Sequence, residues 1–93
     1  QRYSQHRNGH TILVAQVCKK RGLPLSGLEA VLGTLLEGKV LAERHRDHPL
    51  KGKYAHHREC HIQPDWLLVY QKDEARRILK LVHTGTHSDL FDE

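Results

Sequence analysis

A chain of 93 residues with 38% apolar content has room for one thin hydrophobic core and reads as one domain over residues 1–93. Fifteen Lys and Arg against eleven Asp and Glu leave a net charge of +4, to which nine histidines add when protonated; such a balance admits nucleic acid or another polyanion as partner without requiring one. No apolar run approaches the roughly 20 residues of a membrane span, and Cys18 and Cys60 are too few, and lack the CxxC spacing, for a disulfide framework or a metal-binding finger.

In chain order, Gln1 to Asn8 reads either as a short edge strand around Arg2 to Gln5 or as a disordered lead-in. The first ten residues, Gln1 to His10, are polar and basic, with no apolar stretch of the kind a signal peptide uses. Gly9 to Arg21 places Leu13, Val14, Val17 and Cys18 at helical spacing, although Thr11-Ile12-Leu13-Val14 is β-prone. The basic run Lys19-Lys20-Arg21 suits a helix C-terminus, and Gly22 a stop. Ser26-Gly27-Leu28-Glu29 has the form of a capping box, after which Leu28, Val31, Leu32, Leu35 and Leu36 make one apolar face and Gly38 closes the helix. The short Gly-Leu-Pro link predicts an antiparallel helical hairpin. Val40 to Pro49 is charged and reads as a loop with a brief strand at most. Three strands are expected next, over Ala55 to Gln63, Trp66 to Gln71 and Arg77 to His83, with a turn at Asp73-Glu74. Trp66-Leu67-Leu68-Val69-Tyr70 is apolar on both faces, which makes it the central strand. Helices first, then an antiparallel meander, predict an α+β domain: a helical hairpin on a small antiparallel sheet.

The chemistry-bearing residues lie mostly in the second half, where His45, His48, His56, His57, His61, His83 and His87 occur. Metal binding would need closely spaced neutral imidazoles with Cys or carboxylate helpers. His83 with His87, or His57 and His61 beside Cys60, are the pairs available, but on strands and turns their spacing does not bring ligands together. The other chemistry is proton transfer. Metal-free RNA cleavage requires a base for the 2′-OH, an acid for the departing 5′-oxygen and cations for the phosphorane. Histidine, lysine, arginine and an aromatic ring for an unstacked base supply all of these. On composition alone, a solvated basic face over ordinary core aromatics accounts for the same residues.

The order of three blocks adds more. Arg46-Asp47-His48-Pro49-Leu50-Lys51-Gly52, then Arg58-Glu59-Cys60-His61-Ile62-Gln63-Pro64-Asp65-Trp66-Leu67-Leu68-Val69-Tyr70, then Thr84-Gly85-Thr86-His87-Ser88-Asp89-Leu90-Phe91 make up about half of the chain. Together they resemble the RDHPL-x-G, R-[ED]-x-H-[IV]-x-P-D-W-[IL]-L-[IV]-Y and TG-[ST]-H-x-x-LF segments of the YafQ-like branch of the RelE/ParE toxin superfamily. The first eighteen residues match that pattern poorly.

The resemblance implies a RelE-like microbial ribonuclease fold and a type II toxin that cuts messenger RNA on the 70S ribosome without metal or cofactor. It implies a cognate antitoxin whose acidic and apolar segments wrap the basic domain, in the cytoplasm and with no membrane association. Carried over position by position, it makes His48, His61, Asp65 and His87 the catalytic group, with His87 the general acid and the base left open among His61, Asp65 and His48. Lys51, Lys53 and Arg58 would then contact phosphates. Trp66 and Phe91 would support or stack on the substrate nucleotides, although Trp66, opening the central strand, is equally placed to fill the core. Where the family usually has arginine ahead of the TG-[ST]-H block, this chain has His83, a cation only when protonated, which points to weaker or more pH-dependent cleavage or to an attenuated toxin. Two other classes compete: a ParE-like toxin that acts on gyrase and cleaves nothing, and a non-enzymatic RNA- or partner-binding module.

Overall fold

The computed structural model describes residues 2–6 and 9–86. Strand β1 (Ser4–His6) leads into helix α1 (Gly9–Lys20) and helix α2 (Leu25–Leu36). A 3-10 turn at Glu43–His45, the two-residue strand β2 (His48–Pro49) and a second 3-10 turn at Gly52–Tyr54 follow. The long strands β3 (Arg58–Gln63), β4 (Trp66–Asp73) and β5 (Ile78–Gly85) come last. The sheet order is β1-β5-β4-β3-β2. The meander from β2 to β5 is antiparallel as expected, and β1 joins the edge of β5 in parallel.

Helix α1 forms despite its β-branched start because Val14 and Cys18, one turn apart, bury completely against the sheet. In α2 the buried stripe is Leu28, Val31 and Leu35, with Leu32 and Leu36 packed beside it. The expected capping box at Ser26 is not made. The helix opens two residues earlier, with Pro24 as N-cap and no side-chain cap hydrogen bond. The fixed φ of proline suits that position, its carbonyl accepts the Gly27 N–H at 3.1 Å, and Ser26 is left inside the first turn. Gly27 also lets α2 approach the sheet: a β-carbon there would lie 3.3 Å from the Ile62 side chain. The predicted stops hold, with Gly22 and Gly38 both at φ +75° beyond the helix ends.

Trp66 through Tyr70 are all buried and β4 is central, as its two-faced apolar pattern requires. Cys60, Ile62, Trp66, Leu68, Tyr70, Leu79 and Leu81 belong with the helices to one core cluster. Leu67 and Val69 bury on the other face. β3 begins at Arg58 rather than Ala55, because Tyr54–His57 turns back on itself: the His57 N–H donates to the Tyr54 carbonyl at 3.0 Å, with His56 at φ 72°. β5 begins one residue later than expected, after Arg77 at φ 56°, and runs on to Gly85.

Both cysteines are free and buried. Burial, with the charges of Asp47 and Glu59 nearby, pushes the Cys60 thiol up to about 12, and burial likewise raises the Tyr70 phenol. An unfolded chain releases these protons at lower pH than the folded one, so stability present below the unfolded thiol's pKa of about 8.5 is lost as pH rises from there toward 12. The denaturation midpoint is therefore expected to fall between pH 9 and 11, and less steeply in Cys60→Ala. A midpoint that stays level across this range would contradict the assignment.

Candidate functional site

The sheet register builds the site. His48 pairs with Glu59, Glu59 with Val69, and Val69 with His83, so one row crosses four strands on a single face. The next row holds His61, Leu67 and Gly85. At about 4.8 Å per strand the first row spans about 14 Å, the reach of a few nucleotides rather than of a small metabolite. This is the face opposite the helices, floored by fully buried Leu67 and Val69. The segment after β2 folds toward it, bringing the Tyr54 ring edge-on to His83 at 6.3 Å and to His57 at 5.9 Å.

Two irregularities aim the side chains. Register slips once between His61 and Gln63, and again opposite Val69 and Tyr70, where Val82 is the extra residue. Such bulges twist a strand locally and redirect its neighbours; here they flank His61 and His83.

At the centre is Glu59, a carboxylate only 4% exposed with two imidazoles turned to it. His48 Nε2 lies 3.5 Å and His61 Nε2 3.9 Å from the same Oε1. Both rings are fixed from behind by main-chain carbonyls, which can only accept: His48 Nδ1 donates to Arg46 O at 2.6 Å and His61 Nδ1 to Pro64 O at 3.1 Å. The tautomer is thereby set, and Nε2 is the atom available for proton transfer or for Glu59. Arg46 offers its carbonyl from a left-handed backbone conformation, φ 46°. A third histidine, His45, binds the main-chain oxygen of His61 at 2.6 Å and docks the preceding 3-10 turn on β3.

The loop is clamped from the other side of the sheet. Asp47 accepts hydrogen bonds from the buried Tyr70 hydroxyl and from Arg58 Nε at 3.2 Å. Burial alone would lower the Arg58 guanidinium, but its hydrogen bond and charge pairing with Asp47 outweigh that and hold it above the ordinary value. Because side chains alternate, anchoring Asp47 turns its neighbour His48 toward Glu59.

The structure thus brings together His48, His61 and His83 of the residues singled out from sequence. Lys51 and Lys53 are exposed on the adjoining loop, with Lys53 Nζ 5.4 Å from the centre of the Tyr54 ring. Asp65 is exposed in the β3–β4 turn, directly before Trp66 in the chain. Arg58 and Trp66 are not on this face. Arg58 is engaged by Asp47, and Trp66 belongs to the core cluster, with the Arg21 guanidinium 5.9 Å from its ring centre. His87 and Phe91 lie outside the described residues. Sequence reasoning passed over Glu59 and Tyr54. The two-residue spacing of Glu59 and His61, which puts both on one face of a strand, was the available signal for the first; nothing local marked the second. Among the described residues no three His, Cys, Asp or Glu side chains are grouped to hold a metal ion.

Residues 14–92 match the profile of a family described as the bacterial toxin of type II toxin–antitoxin systems, YafQ. A curated relative, the mRNA interferase toxin YafQ of Escherichia coli strain K12, is 31% identical over 77 residues, 82% of each chain. Among solved structures, a metal-bound toxin from Helicobacter pylori is 37% identical with a TM-score of 0.82, covering 98% of this chain and 100% of that one. The E. coli DinJ–YafQ toxin–antitoxin complex matches with a TM-score of 0.84 at 27% identity, over 98% of this chain and 99% of that one.

Proposed function

This chain belongs to the YafQ family of bacterial type II toxin–antitoxin toxins, and from that premise we propose that it is an endoribonuclease that cuts messenger RNA on the ribosome by metal-free acid–base chemistry. The observation that carries the mechanism is the convergence of His48 and His61 on the buried Glu59. One imidazole Nε2 takes the proton from the 2′-OH, and the adjacent carboxylate balances the charge the ring acquires, the logic of an oriented base. The 2′-oxygen attacks the phosphorus, the P–O5′ bond breaks, and the departing 5′-oxygen is protonated by His87. Cyclic phosphate and a 5′-hydroxyl result.

Lys51 and Lys53, on the loop beside the row, meet phosphates of the messenger or of ribosomal RNA. Tyr54, between His57 and His83, offers an aromatic edge or face for an unstacked base, the part also given to Phe91. Trp66 and Arg58 serve this reading through position: Trp66 by filling the core under the β3–β4 turn, Arg58 by holding Asp47. Asp65, in the turn between β3 and β4, orients the substrate or shares the base's work. The partners proposed are a cognate antitoxin, as in the DinJ–YafQ complex of the relative, the 70S ribosome and mRNA. The proposed location is the cytoplasm, and no described helix is long and apolar enough to cross a membrane.

The test is cleavage of a defined messenger with and without programmed ribosomes, in EDTA. Cuts confined to the ribosome-containing sample support the reading; no cutting by folded protein in either sample sinks it. His83→Arg is expected to speed cleavage about tenfold or more, because a guanidinium keeps its charge where an imidazole carries one only when protonated. An unchanged rate would remove His83 from the set of groups facing the phosphate.

A further inference from the structure

Beyond the histidine row, a hollow of about 390 Å³ opens at the end of the sheet, with walls from loops and strand ends and from neither helix. Its polar lining sets two carboxylates, Asp47 and Glu74, among four nitrogen-bearing side chains, His56, His57, Arg58 and Lys72. Both carboxylates are engaged. Asp47 accepts from the Tyr70 hydroxyl and from Arg58, and Glu74 accepts from the Tyr3 hydroxyl at 2.7 Å with the Arg77 guanidinium 3.8 Å away. Arg58 is neutralised by Asp47, but Lys72 has no such partner. Among the described residues its ammonium pairs with no carboxylate and lies 5.6 Å from the centre of the Tyr3 ring. His56 is exposed and held at φ 72°, a backbone conformation that favours glycine, so an imidazole stands there at a conformational cost. His57 is oriented by its Nδ1, 3.1 Å from the Ala55 carbonyl.

The hollow is continuous with the row. Arg58 adjoins Glu59 in β3, and the His57 ring meets Tyr54 edge-on at 5.9 Å, as Tyr54 meets His83 at 6.3 Å. We propose that the hollow is a second phosphate subsite, holding a phosphodiester of the RNA strand that runs on past the cleavage row. Lys72 is its fixed cation, and His56 and His57 add charge when protonated. The proposal rests on the ribonuclease reading and deepens it by giving the strand a path away from the cut. Continuity selects the occupant: an aromatic ring between two cationic sites suits the alternation of base and phosphate along a single strand, whereas a free anion needs no such path.

The test follows the imidazole signals of the full chain by NMR while a 2′-O-methyl RNA oligonucleotide, which lacks the attacking hydroxyl, is added, and in parallel while inorganic phosphate is added. The oligonucleotide is expected to move the signals of His56 and His57 together with those of His48 and His61, at concentrations where inorganic phosphate moves none of them. Lys72→Gln should weaken oligonucleotide binding about threefold or more and lower the slope of its salt dependence by about one. His56→Gly suits the left-handed backbone and should fold at least as stably as the parent, yet bind the oligonucleotide more weakly. Lys19→Gln, at an exposed position on α1, should bind within twofold of the parent. Movement of His48 and His61 with His56 and His57 still, or parent-like binding by both Lys72→Gln and His56→Gly, overturns the subsite and leaves the ribonuclease reading intact. Equal movement of His56 and His57 by inorganic phosphate overturns the RNA strand as occupant. Movement of all four histidines by the oligonucleotide, in a protein that cuts nothing on ribosomes, supports the subsite while sinking the ribonuclease reading.

Discussion

His61→Gln is expected to lower the single-turnover rate of ribosome-dependent cleavage by about 10²- to 10⁴-fold, the usual contribution of a positioned acid or base. His61 is mostly covered, its Nδ1 is committed to the Pro64 carbonyl, and its Nε2 faces Glu59. Glutamine keeps the size and a donor for that carbonyl but cannot accept and pass on a proton, so the melting temperature should move by only a few degrees while the chemistry is lost. His48→Gln distinguishes the two rings. His48 is about half exposed and closer to Glu59, and whichever variant loses more marks the base. Glu59→Gln should lower the cleavage rate as well, since it withdraws the charge that the protonated ring meets. Losses below tenfold in both histidine variants would remove this pair from the reaction.

The second large effect falls on stability. Asp47→Ala strips the acceptor from the fully buried Tyr70 hydroxyl and from the half-buried Arg58 at once. A buried donor without an acceptor costs about 1–3 kcal/mol, and an uncompensated partly buried cation adds to that. A total of about 2–4 kcal/mol is expected, which for a domain of this size is a melting temperature lowered by about 10 °C or more. The cleavage rate should fall as well, because the same clamp turns His48 toward Glu59. Tyr70→Phe on top of Asp47→Ala should recover part of the stability, since removing both members of a buried pair costs less than removing one. A melting temperature within about 2 °C of the parent in Asp47→Ala would show that the clamp does not hold the loop.

What was legible in the sequence was what repeats along it. The apolar stripe of α2, the two-faced apolar run of β4 and the alternation in β5 are periodic signals, and each element stands where its period put it. What escaped depends on a single residue or on a distant partner. Pro24 takes the cap that Ser26 seemed to offer. One left-handed residue, His56, delays β3, and one extra residue each at Ile62 and Val82 shifts the register and breaks the alternation, so that Leu81 and His83, two apart, lie on opposite faces. β1 pairs with Ile78 to Lys80, more than seventy positions away, which no local pattern announces. The candidate site follows the same division. Its histidines were visible as types in three ordered blocks, but the grouping requires the pairing of His48 with Glu59, a contact between strands. The same alternation that sets Glu59 and His61 on the open face sends Arg58 to the other, where it meets Asp47 and Tyr70 instead of a phosphate.

The identity of the new RNA ends tests the central claim most directly. Metal-free attack by the 2′-OH leaves a 2′,3′-cyclic phosphate and a 5′-hydroxyl, and the proposed chemistry predicts these ends from chelator-treated protein on programmed ribosomes, at a rate that added divalent metal does not raise. Ends bearing a 3′-hydroxyl and a 5′-phosphate, formed only when transition metal is restored, would contradict it and would make the histidines of the open face ligands rather than acids and bases.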